Sequence, residues 1–352
     1  MTDIGQRKED HLDLAARGDV AFKQVGTLLD QVQLVHDALP EIAFDEIDTA
    51  VTILGKPLRA PILIAGMTGG TARAARINRA LAQIAQRRGY AFGLGSQRAM
   101  QKDAASTESY AVRDVAPDVL LLGNLGIVQA AQCSSDEVLA LATAVGADAV
   151  CLHINPAMEL VQAEGDRDFR GCLDAFQRLA AELPLPIVAK ETGSGLSGQV
   201  GRRLAAVGVR HVDVSGAGGT SWVAVERQRA SDARRGLGDT FWEWGIPTAA
   251  SVMCVSECGF DTVFATGGLK SGLCVARALA LGASAGGIAR PVLQAFDADG
   301  VEGAEAYLER VETELRMTML LVGARNVAAL RQVPRMLGPE LTAWQTLAAS
   351  AR

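Results

Sequence analysis

The amino-acid sequence predicts an α/β protein, a (β/α)₈ TIM barrel with an N-terminal extension and a C-terminal closing helix. Three observations support this prediction. Eight short apolar runs recur along the chain, helical patterns separate them, and glycine-rich polar segments follow them. Short apolar runs suit strands buried on both faces of a parallel sheet, and strands that alternate with helices form βαβ units. Eight such units close a barrel whose active site lies at the carboxyl ends of the strands.

The eight runs have the length of strands, and several are rich in valine and isoleucine. They span Pro61–Ala65, Tyr90–Leu94, Val119–Leu122, Ala147–Leu152, Pro186–Ala189, Val209–Val214, Thr262–Ala265 and Ala283–Ile288. Apolar residues at helical spacing between the runs predict four helices. These helices are Ala72–Arg88, Ser135–Val145, Phe169–Leu183 and Lys270–Leu281. The long interval from Ser215 to Asp261 predicts an extended loop and a helix over the barrel mouth.

The 352 residues are interpreted as one domain, because an α/β barrel routinely runs to about 250 residues. Residues 1–58 form the N-terminal extension. Residues 59–322 form the barrel and include a closing helix over Gly303–Val322. Residues 323–352 form a C-terminal tail.

Composition excludes several classes of function. The formal net charge is −6, and no basic face of the kind that nucleic acids require is evident. No apolar run reaches the roughly 18 residues of a membrane span, and the charged N-terminus lacks the apolar core of a secretory signal. The six cysteines show no CxxC pair, which favours free thiols in a reducing compartment. The sequence therefore predicts a cytoplasmic protein that binds neither nucleic acid nor membrane.

The segments that follow the strands are rich in glycine and small polar residues. They are AGMTGG (65–70), GLGSQR (93–98), GNLG (123–126), HIN (153–155), KETGSG (190–195), SGAGGT (215–220), ATGGLKSG (265–272) and GGIARP (286–291). Glycine lets the backbone approach a flat or phosphorylated ligand closely. The last two segments place Lys270 and Arg290 beside a helix start, where this barrel commonly binds a phosphate. Simple turn glycines are the alternative.

Two further motifs allow more than one interpretation. Lys190 ends the fifth strand and faces the barrel mouth, where it would meet a phosphate or an electron-rich ring. A structural pair with Glu191 is the alternative. The segment GSGLSG (193–198) fits the G-x-G-x-x-G dinucleotide pattern, and Asp213 lies 20 residues past Gly193. Because this segment belongs to the fifth of eight similar units, the dinucleotide interpretation is the weaker one.

Taken in order, the motifs resemble those of the type II isopentenyl-diphosphate isomerases. The resemblance rests on RKEDH, AGMTGG, GLGSQR, GNLG, H-x-N-P…E…EGD, KETG-x-G-x-S, DVSGAGGTSW, GGLKSG and ARP, across about residues 6–291. It implies a barrel that contains FMN, uses Mg²⁺, and has its flavin reduced by NADPH. The implied reaction interconverts isopentenyl and dimethylallyl diphosphate in isoprenoid biosynthesis. A homotetramer or larger homo-oligomer is also implied.

The resemblance implies the site residues by position. Lys190, His153 and Asn155 are the predicted catalytic residues. The predicted FMN ligands are Met67, Thr68, Gly69, Ser96, Asn124, Lys190, Ser215, Thr220, Thr266, Gly267, Gly268, Ala289 and Arg290. The predicted substrate ligands are Arg7, Lys8, His11, Ser96, Gln97, Arg98 and Met158. Glu159 is the predicted Mg²⁺ ligand, since one carboxylate can bridge Mg²⁺ to diphosphate oxygens. Composition alone would make residues 7–11 a solvated tail, and only the resemblance implies that the N-terminal extension, residues 1–58, contributes to the substrate site.

The chemistry implied needs a proton placed on one carbon of a double bond and another removed nearby. No pair of carboxylates in the sequence is evidently placed for this. A reduced flavin would supply both functions, with the protein orienting it.

The sequence departs from the family pattern at one position. Where the family has glutamine, this chain has Met158, whose thioether is apolar and only a weak hydrogen-bond acceptor. Gln162 lies one helical turn further and is a possible substitute. Either the amide is dispensable because the flavin transfers the protons, or the activity is altered or lost.

Three other functions compete with this interpretation. A 2-hydroxy-acid oxidase on an FMN barrel needs a histidine base and arginines near the late strands, and His211 lies within strand six without such partners. A nucleotide-type dehydrogenase needs a cysteine in a glycine-rich loop, and none lies there. A non-catalytic flavin-binding paralogue is supported by Met158 alone.

Overall fold

A computed structural model describes residues 3–350, with side chains described for residues 5–231 and 234–348. Its strands are β1 Val32–Leu34, β2 Val51–Ile53, β3 Lys56–Leu58, β4 Ile62–Ile64, β5 Ala91–Gly93, β6 Leu121–Gly126, β7 Ala149–Ile154, β8 Ile187–Glu191, β9 His211–Asp213, β10 Thr262–Ala265, β11 Ala285–Ile288 and β12 Arg335–Leu337. Strands β4 to β11 are parallel and close into a barrel in chain order. Each of the eight predicted runs supplies one barrel strand, so the predicted fold is confirmed.

Helices cover the outside of the barrel and its mouth. They are α1 Asp3–Arg17, α2 Ala72–Arg88, α3 Arg98–Lys102, α4 Ile127–Gln132, α5 Ser135–Ala144, α6 Pro156–Val161, α7 Cys172–Glu182, α8 Gly198–Ala206, α9 Trp222–Arg229, α10 Asp232–Thr240, α11 Thr248–Ser256, α12 Gly272–Ala280, α13 Arg290–Leu321, α14 Val327–Leu330 and α15 Pro339–Ser350. The Thr71 hydroxyl caps α2 at its start, and Gly89 ends it with φ of 69°. These two signals explain why the predicted bounds of this helix match the observed ones.

The barrel interior is packed by every second residue of its strands. One buried cluster contains Leu63 of β4, Leu122 of β6, and Val188 of β8. Ile53 and Leu58 of the β2–β3 hairpin belong to the same cluster, so this hairpin closes one end of the barrel. Successive side chains of a strand point to opposite faces, so every second residue faces the barrel interior. The inward-facing residue two positions after each of these apolar residues therefore lies nearer the mouth of the barrel. That layer carries the polar residues of the site.

The N-terminal segment is a helix docked on the barrel, not the solvated tail that composition favours. Leu12 and Ala16 of α1 are buried. The Arg290 guanidinium donates hydrogen bonds to the carbonyl oxygens of Ala15 and Gly18, which have no partner within the helix. These contacts hold the basic start of α1 over the barrel mouth.

Two other regions differ in detail from the prediction. The interval between β9 and β10 holds three helices, α9 to α11, instead of one. The closing helix begins at Arg290, well before the predicted Gly303, and is kinked at Asp299 and Gly300, where Gly300 has φ of 63°. Because this kink interrupts the apolar pattern of the helix, the sequence predicted only the second half of the helix. Past residue 322, β12 pairs antiparallel with β1 and ties the C-terminal segment to the N-terminal one.

Within residues 3–350, every helix is too short or too polar to cross a bilayer. The six cysteines all lie within the part of the chain that the structure describes, and no disulfide joins any two of them.

The crossing of α12 and α13 gives a first test of the packing. A Cβ at Gly272 would lie 2.1 Å from Val311 O and 2.2 Å from Leu315 N, so alanine would force two backbones apart. We expect Gly272→Ala to lower the free energy of unfolding by about 1–3 kcal/mol, measured by urea denaturation.

Gly236→Ala is the matched control. A Cβ at Gly236 in α10 meets nothing within 4 Å, and alanine is favoured over glycine inside a helix by about 0.5–1 kcal/mol. Its stability should be unchanged or raised. Equal losses for the two variants would contradict the packing argument.

Candidate functional site

A cavity of about 750 Å³ opens where the barrel strands end. Segments after all eight barrel strands line it, together with α1 and the start of α9. The predicted site residues among its lining are Arg7, Lys8, His11, Met67, Thr68, Ser96, Arg98, Asn124, His153, Asn155, Met158, Glu159, Lys190, Ser215, Thr220, Thr266, Gly267, Gly268, Ala289 and Arg290. The fold thus brings together residues that span more than 280 positions of the sequence. Their roles as ligands remain predictions.

Two predicted residues do not line the cavity. Gln97 is buried, and its side-chain amide accepts a hydrogen bond from Asn124 N and donates one to Leu141 O. Its side chain therefore ties the loop after β5 to neighbouring segments. A Cβ at Gly69 would lie 1.9 Å from Cε1 of Tyr110, so this glycine lets the loop pack against a tyrosine ring.

Lys190 lies at the end of the fifth barrel strand, as predicted, but its charged partner is Asp213. Its Nζ lies 2.9 Å from Asp213 Oδ2 and donates a second bond to the backbone oxygen of Glu191. Asp213, noted in the sequence only as a possible dinucleotide ligand, is 2% exposed. The predicted alternative, a pair with the Glu191 carboxylate, is not formed.

The Glu191 carboxylate instead organises the loop after β8. One of its oxygens, Oε2, accepts hydrogen bonds from the backbone N–H groups of residues 192–195. Burial raises the pKa of Glu191 to about 7, and the four N–H groups oppose that rise. Gly193 and Gly195 have φ of 126° and 78°, which such a tight loop requires. The first two glycines of the G-x-G-x-x-G pattern, Gly193 and Gly195, thus bind a carboxylate of the chain itself through their backbone N–H groups.

His153 is held in one tautomer by its neighbour on β6. Its Nδ1 lies 2.8 Å from Asn124 Oδ1, while Asn124 Nδ2 donates to Leu94 O. Because the Asn124 amide nitrogen is used in this way, its oxygen faces the imidazole and Nδ1 carries the proton. Burial, with smaller effects from Lys190 and Arg98, lowers the pKa of His153 to about 4. The ring is therefore neutral at pH 7, with Nε2 able to accept a hydrogen bond.

A group of three cations, Arg7, Lys8 and Arg98, occupies one end of the cavity. Lys8 Nζ donates to Ser96 O at 2.8 Å and to the Tyr110 hydroxyl at 2.6 Å, and no carboxylate of the described residues pairs with it. Burial and the nearby Arg7 lower the pKa of Lys8 to about 7. Burial and Arg98 likewise lower the pKa of Arg7. Both pKa shifts reflect the burial of positive charge beside another cation, as in an anion site, and the carboxylates of Glu226 and Glu159 oppose the shift of Arg7.

Tyr110 was not recognised from the sequence. It is fully buried, and its hydroxyl donates to Ser96 O at 2.6 Å while it accepts from Lys8. A lone tyrosine distant from the strand ends carries no sequence signal for this position.

The start of α1 is anchored to the mouth by a buried carboxylate of α9. His11 Nε2 lies 2.7 Å from Glu226 Oε1, and Arg229 Nη1 lies 2.9 Å from Glu226 Oε2. The His11 ring also contacts Trp222 edge to face, with centroids 5.3 Å apart. Glu226 thus fixes His11 and, with it, the neighbouring Arg7 and Lys8. It is a second functional residue that the sequence did not reveal.

The wall formed by α6 carries the predicted metal ligand. Glu159 is buried; Oε1 accepts from Asn155 Nδ2 at 2.7 Å and Oε2 from Asp166 N at 2.8 Å. No group of three or more metal-binding side chains occurs among the described residues. Met158 lies on this wall too, and the side-chain nitrogen of Gln162 is buried there without a hydrogen-bond partner.

The other end of the cavity is built from glycine turns and cations. A Cβ at Gly219 would lie 2.4 Å from Gly268 N, so the loops after β9 and β10 meet backbone to backbone. Lys270, Arg277 and Arg290 line this end. Arg277 was not predicted, and its buried Nε has no hydrogen-bond partner in this structure.

These features fit FMN. The backbone N–H groups of the glycine turns and the three cations Lys270, Arg277 and Arg290 can bind a phosphate, as in other phosphate sites of this barrel. Lys190, Asn124 and Thr68 supply polar groups at the cavity floor for a flat heterocycle. Met67 and Ala65 add apolar surface against which a ring can pack.

Comparison with known proteins agrees with this fit. The profile of the family described as FMN-dependent dehydrogenase matches residues 3–155 and 153–335. Among solved structures, a mandelate oxidase variant superposes with a TM-score of 0.67 at 21% identity, covering 96% of this chain and 100% of the other. A lactate oxidase from Pediococcus acidilactici also gives 0.67, at 14% identity and 96% and 94% coverage. At such identities these two structures support the fold alone.

Sequence relatives are far closer. The chain is 46% identical to the isopentenyl-diphosphate delta-isomerase of Thermococcus onnurineus, over 94% of this chain and 91% of that protein. It is 44% identical to the protein of that name from Synechococcus, over 96% and 97% of the two chains. The chain therefore belongs to the FMN-dependent, type II family of isopentenyl-diphosphate delta-isomerases.

Proposed function

We propose that this protein interconverts isopentenyl diphosphate and dimethylallyl diphosphate. The observation that carries the proposal is the cation group Arg7, Lys8 and Arg98, which shares one cavity with a separate glycine-rich phosphate site. Among the described residues no carboxylate pairs with Lys8, and Arg98 has a carboxylate partner only at 4.0 Å, in Asp166. A cavity with two anion sites suits an enzyme that holds a phosphorylated cofactor and a diphosphate substrate together.

The diphosphate would bind to this cation group, which the first half of α1 and the start of α3 supply. Guanidinium and ammonium groups form charge-assisted hydrogen bonds to phosphate oxygens, and two phosphates need several donors. Glu159 would hold Mg²⁺ next to the diphosphate, because Mg²⁺ in phosphate sites typically uses one or two carboxylates and keeps several waters. The absence of a larger group of protein ligands among the described residues is compatible with this arrangement.

The hydrocarbon part of the substrate would lie against Leu12, Met67, Met158 and Trp222, which line the cavity. FMN, reduced by NADPH, would supply the acid and base for the proton transfers. Asp30 and Glu159 are the acidic side chains in the described lining, and both oxygens of Glu159 already accept hydrogen bonds. The protein groups therefore bind, orient and exclude water, while neutral His153 offers Nε2 as an acceptor.

We also propose a cytoplasmic homotetramer or larger assembly. The family resemblance supports the assembly. The lack of a disulfide among the six described cysteines supports a reducing compartment.

The first prediction from the proposed function concerns Met158. In an anaerobic assay with FMN, Mg²⁺, NADPH and isopentenyl diphosphate, we expect the wild-type protein to form dimethylallyl diphosphate. Met158→Gln should change kcat by less than tenfold, because the proposed acid and base belong to the flavin. Met158→Leu, which keeps an apolar side chain of similar volume, is the matched control and should also retain activity.

Other outcomes would change the assignment. Activity in Met158→Gln alone would mean that the scaffold is right but the natural chain has lost the family reaction. Inactivity of all three proteins despite FMN binding would exclude the isomerase and point to another diphosphate substrate.

The second prediction follows from the pKa of Lys8, which is about 7 in the free protein. Above pH 7 the free amine is mostly neutral, and a bound diphosphate favours its charged form. Binding at pH 8 should therefore take up a proton, and Kd should rise by up to about tenfold per pH unit above 7. Calorimetry in buffers of different ionisation enthalpy measures this uptake.

Lys8→Met should weaken binding and abolish the uptake. Lys102→Met is the control, since Lys102 is an exposed lysine at the end of the helix that starts with Arg98. Proton uptake that persists in Lys8→Met would show that another group titrates.

A further inference from the structure

A buried ion pair at the cavity floor joins three neighbouring strands. Lys190 of β8 pairs with Asp213 of β9 at 2.9 Å, and Thr266, directly after β10, donates from Oγ1 to Asp213 Oδ1 at 2.5 Å. The three residues are 9%, 2% and 3% exposed, respectively. Neither the family resemblance nor the sequence pattern gave Asp213 this position.

The hydrogen bonds around Lys190 leave one direction open. An ammonium group has three donors. One meets Asp213 Oδ2 and another meets the backbone oxygen of Glu191. Lys190 lines the cavity whereas Asp213 does not, so the third donor is available to whatever occupies the cavity floor. Asp213 therefore contacts Lys190 without lining the cavity itself.

Asp213 is itself fixed on both oxygens. Oδ1 accepts from Thr266 Oγ1 and, at 3.3 Å, from Ser215 N, while Oδ2 takes the ammonium. In the strand register Lys190 lies directly beside Asp213, so the pair needs no long side-chain reach. A carboxylate held in this way can set the position and charge of the lysine without touching a ligand.

We propose that Asp213 is a positioning residue: held by Thr266, it keeps Lys190 charged and directed at FMN, and thereby raises the midpoint potential of the bound flavin. This inference rests on the proposed function only in requiring FMN at the cavity floor. It does not depend on the identity of the substrate.

The physical reason lies in the cost of a buried charge. An ammonium group without a counter-ion in a dry site is destabilised, and the neutral amine becomes the favoured form. A cation beside the flavin stabilises the reduced cofactor, which carries more negative charge, and so favours reduction. Removing Asp213 should therefore remove much of the effect of Lys190 even though the lysine remains.

The other titratable groups around the pair cannot replace Asp213. His153 lies beside Lys190 in the register and is neutral at pH 7, because burial and Lys190 lower its pKa. Burial raises the pKa of the Cys151 thiol to about 12, with a contribution from Asp213. The Glu191 carboxylate is turned into its own loop. Among the described residues, only Asp213 offers Lys190 a carboxylate at ion-pair distance.

The experiment is anaerobic spectroelectrochemistry of the FMN-bound protein at pH 7, without substrate. Asp213→Asn should lower the midpoint potential in the same direction as Lys190→Met. We expect at least a tenfold change in the two-electron reduction equilibrium, which corresponds to about 30 mV. Thr266→Val keeps the carboxylate but removes the hydroxyl that orients it, and should give a smaller decrease.

The matched control is Asp261→Asn. Asp261 pairs with Arg210 at 2.7 Å just before β9 and β10, at the opposite end of the same two strands, and is exposed. This variant removes a carboxylate from an Arg–Asp pair far from the cavity, so its potential should equal that of the wild type.

An unchanged or raised potential in Asp213→Asn would overturn the inference, since a purely structural aspartate would not move the potential in this direction. Circular dichroism and FMN titration establish that the variants are folded and loaded. If Asp213→Asn does not bind FMN, Thr266→Val decides: a lowered potential supports the inference and an unchanged one overturns it.

The same variants separate this inference from the proposed function. Lowered potentials in a protein that fails to isomerise isopentenyl diphosphate would uphold the role of Asp213 and reject the isomerase. Isomerase activity of the protein together with unchanged midpoint potentials in the variants would support the proposed function and reject the role of Asp213.

Discussion

The site depends on the alternation of side chains along closed parallel strands. Every second residue of a barrel strand faces the axis. In β7 the inward positions run from Ala149 through Cys151 to His153, and in β8 from Val188 to Lys190. The inward-facing positions of these strands are therefore apolar inside the barrel and polar at its mouth, where they form one layer. No separate structural device is needed to point these groups into the cavity.

Charged groups next to a dry core are costly in free energy, and Lys190, which is buried, and Lys8, which is half-buried, offset this cost differently. Lys190 has a permanent partner in Asp213, 2.9 Å away. Lys8 has only neutral oxygen partners, and its pKa is lowered to about 7. A lysine with its own carboxylate keeps a constant charge that can act on a cofactor. A lysine without one becomes fully charged when an anion binds, which suits a substrate that enters and leaves.

Sequence reasoning succeeded where local pattern and local structure coincide. Each barrel strand is an apolar run bounded by glycine, proline or aspartate, and the ends of the strands carry the ligand-facing loops by geometry alone. Sequence reasoning failed where contacts with residues distant in the chain determine the position of a helix or side chain. The docking of α1 depends on Arg290 and Glu226, more than 200 residues away. Tyr110 and Asp213 act through partners on other segments, so neither has a pattern of its own.

The methionine at position 158 can be understood from the same division of roles. The cavity wall around it already holds polar groups: Asn155 bonded to Glu159, and Gln162 with a buried side-chain nitrogen that lacks a partner. An additional amide at 158 would need its own hydrogen bonds in a partly buried place, whereas a thioether does not. If the cofactor performs the proton transfers, this wall needs only to hold the diphosphate and its metal at one end and present apolar surface to the hydrocarbon. Met158 supplies the apolar surface, and Glu159 beside it would hold the metal. The residue that departs from the family pattern therefore contributes shape to the site rather than chemistry.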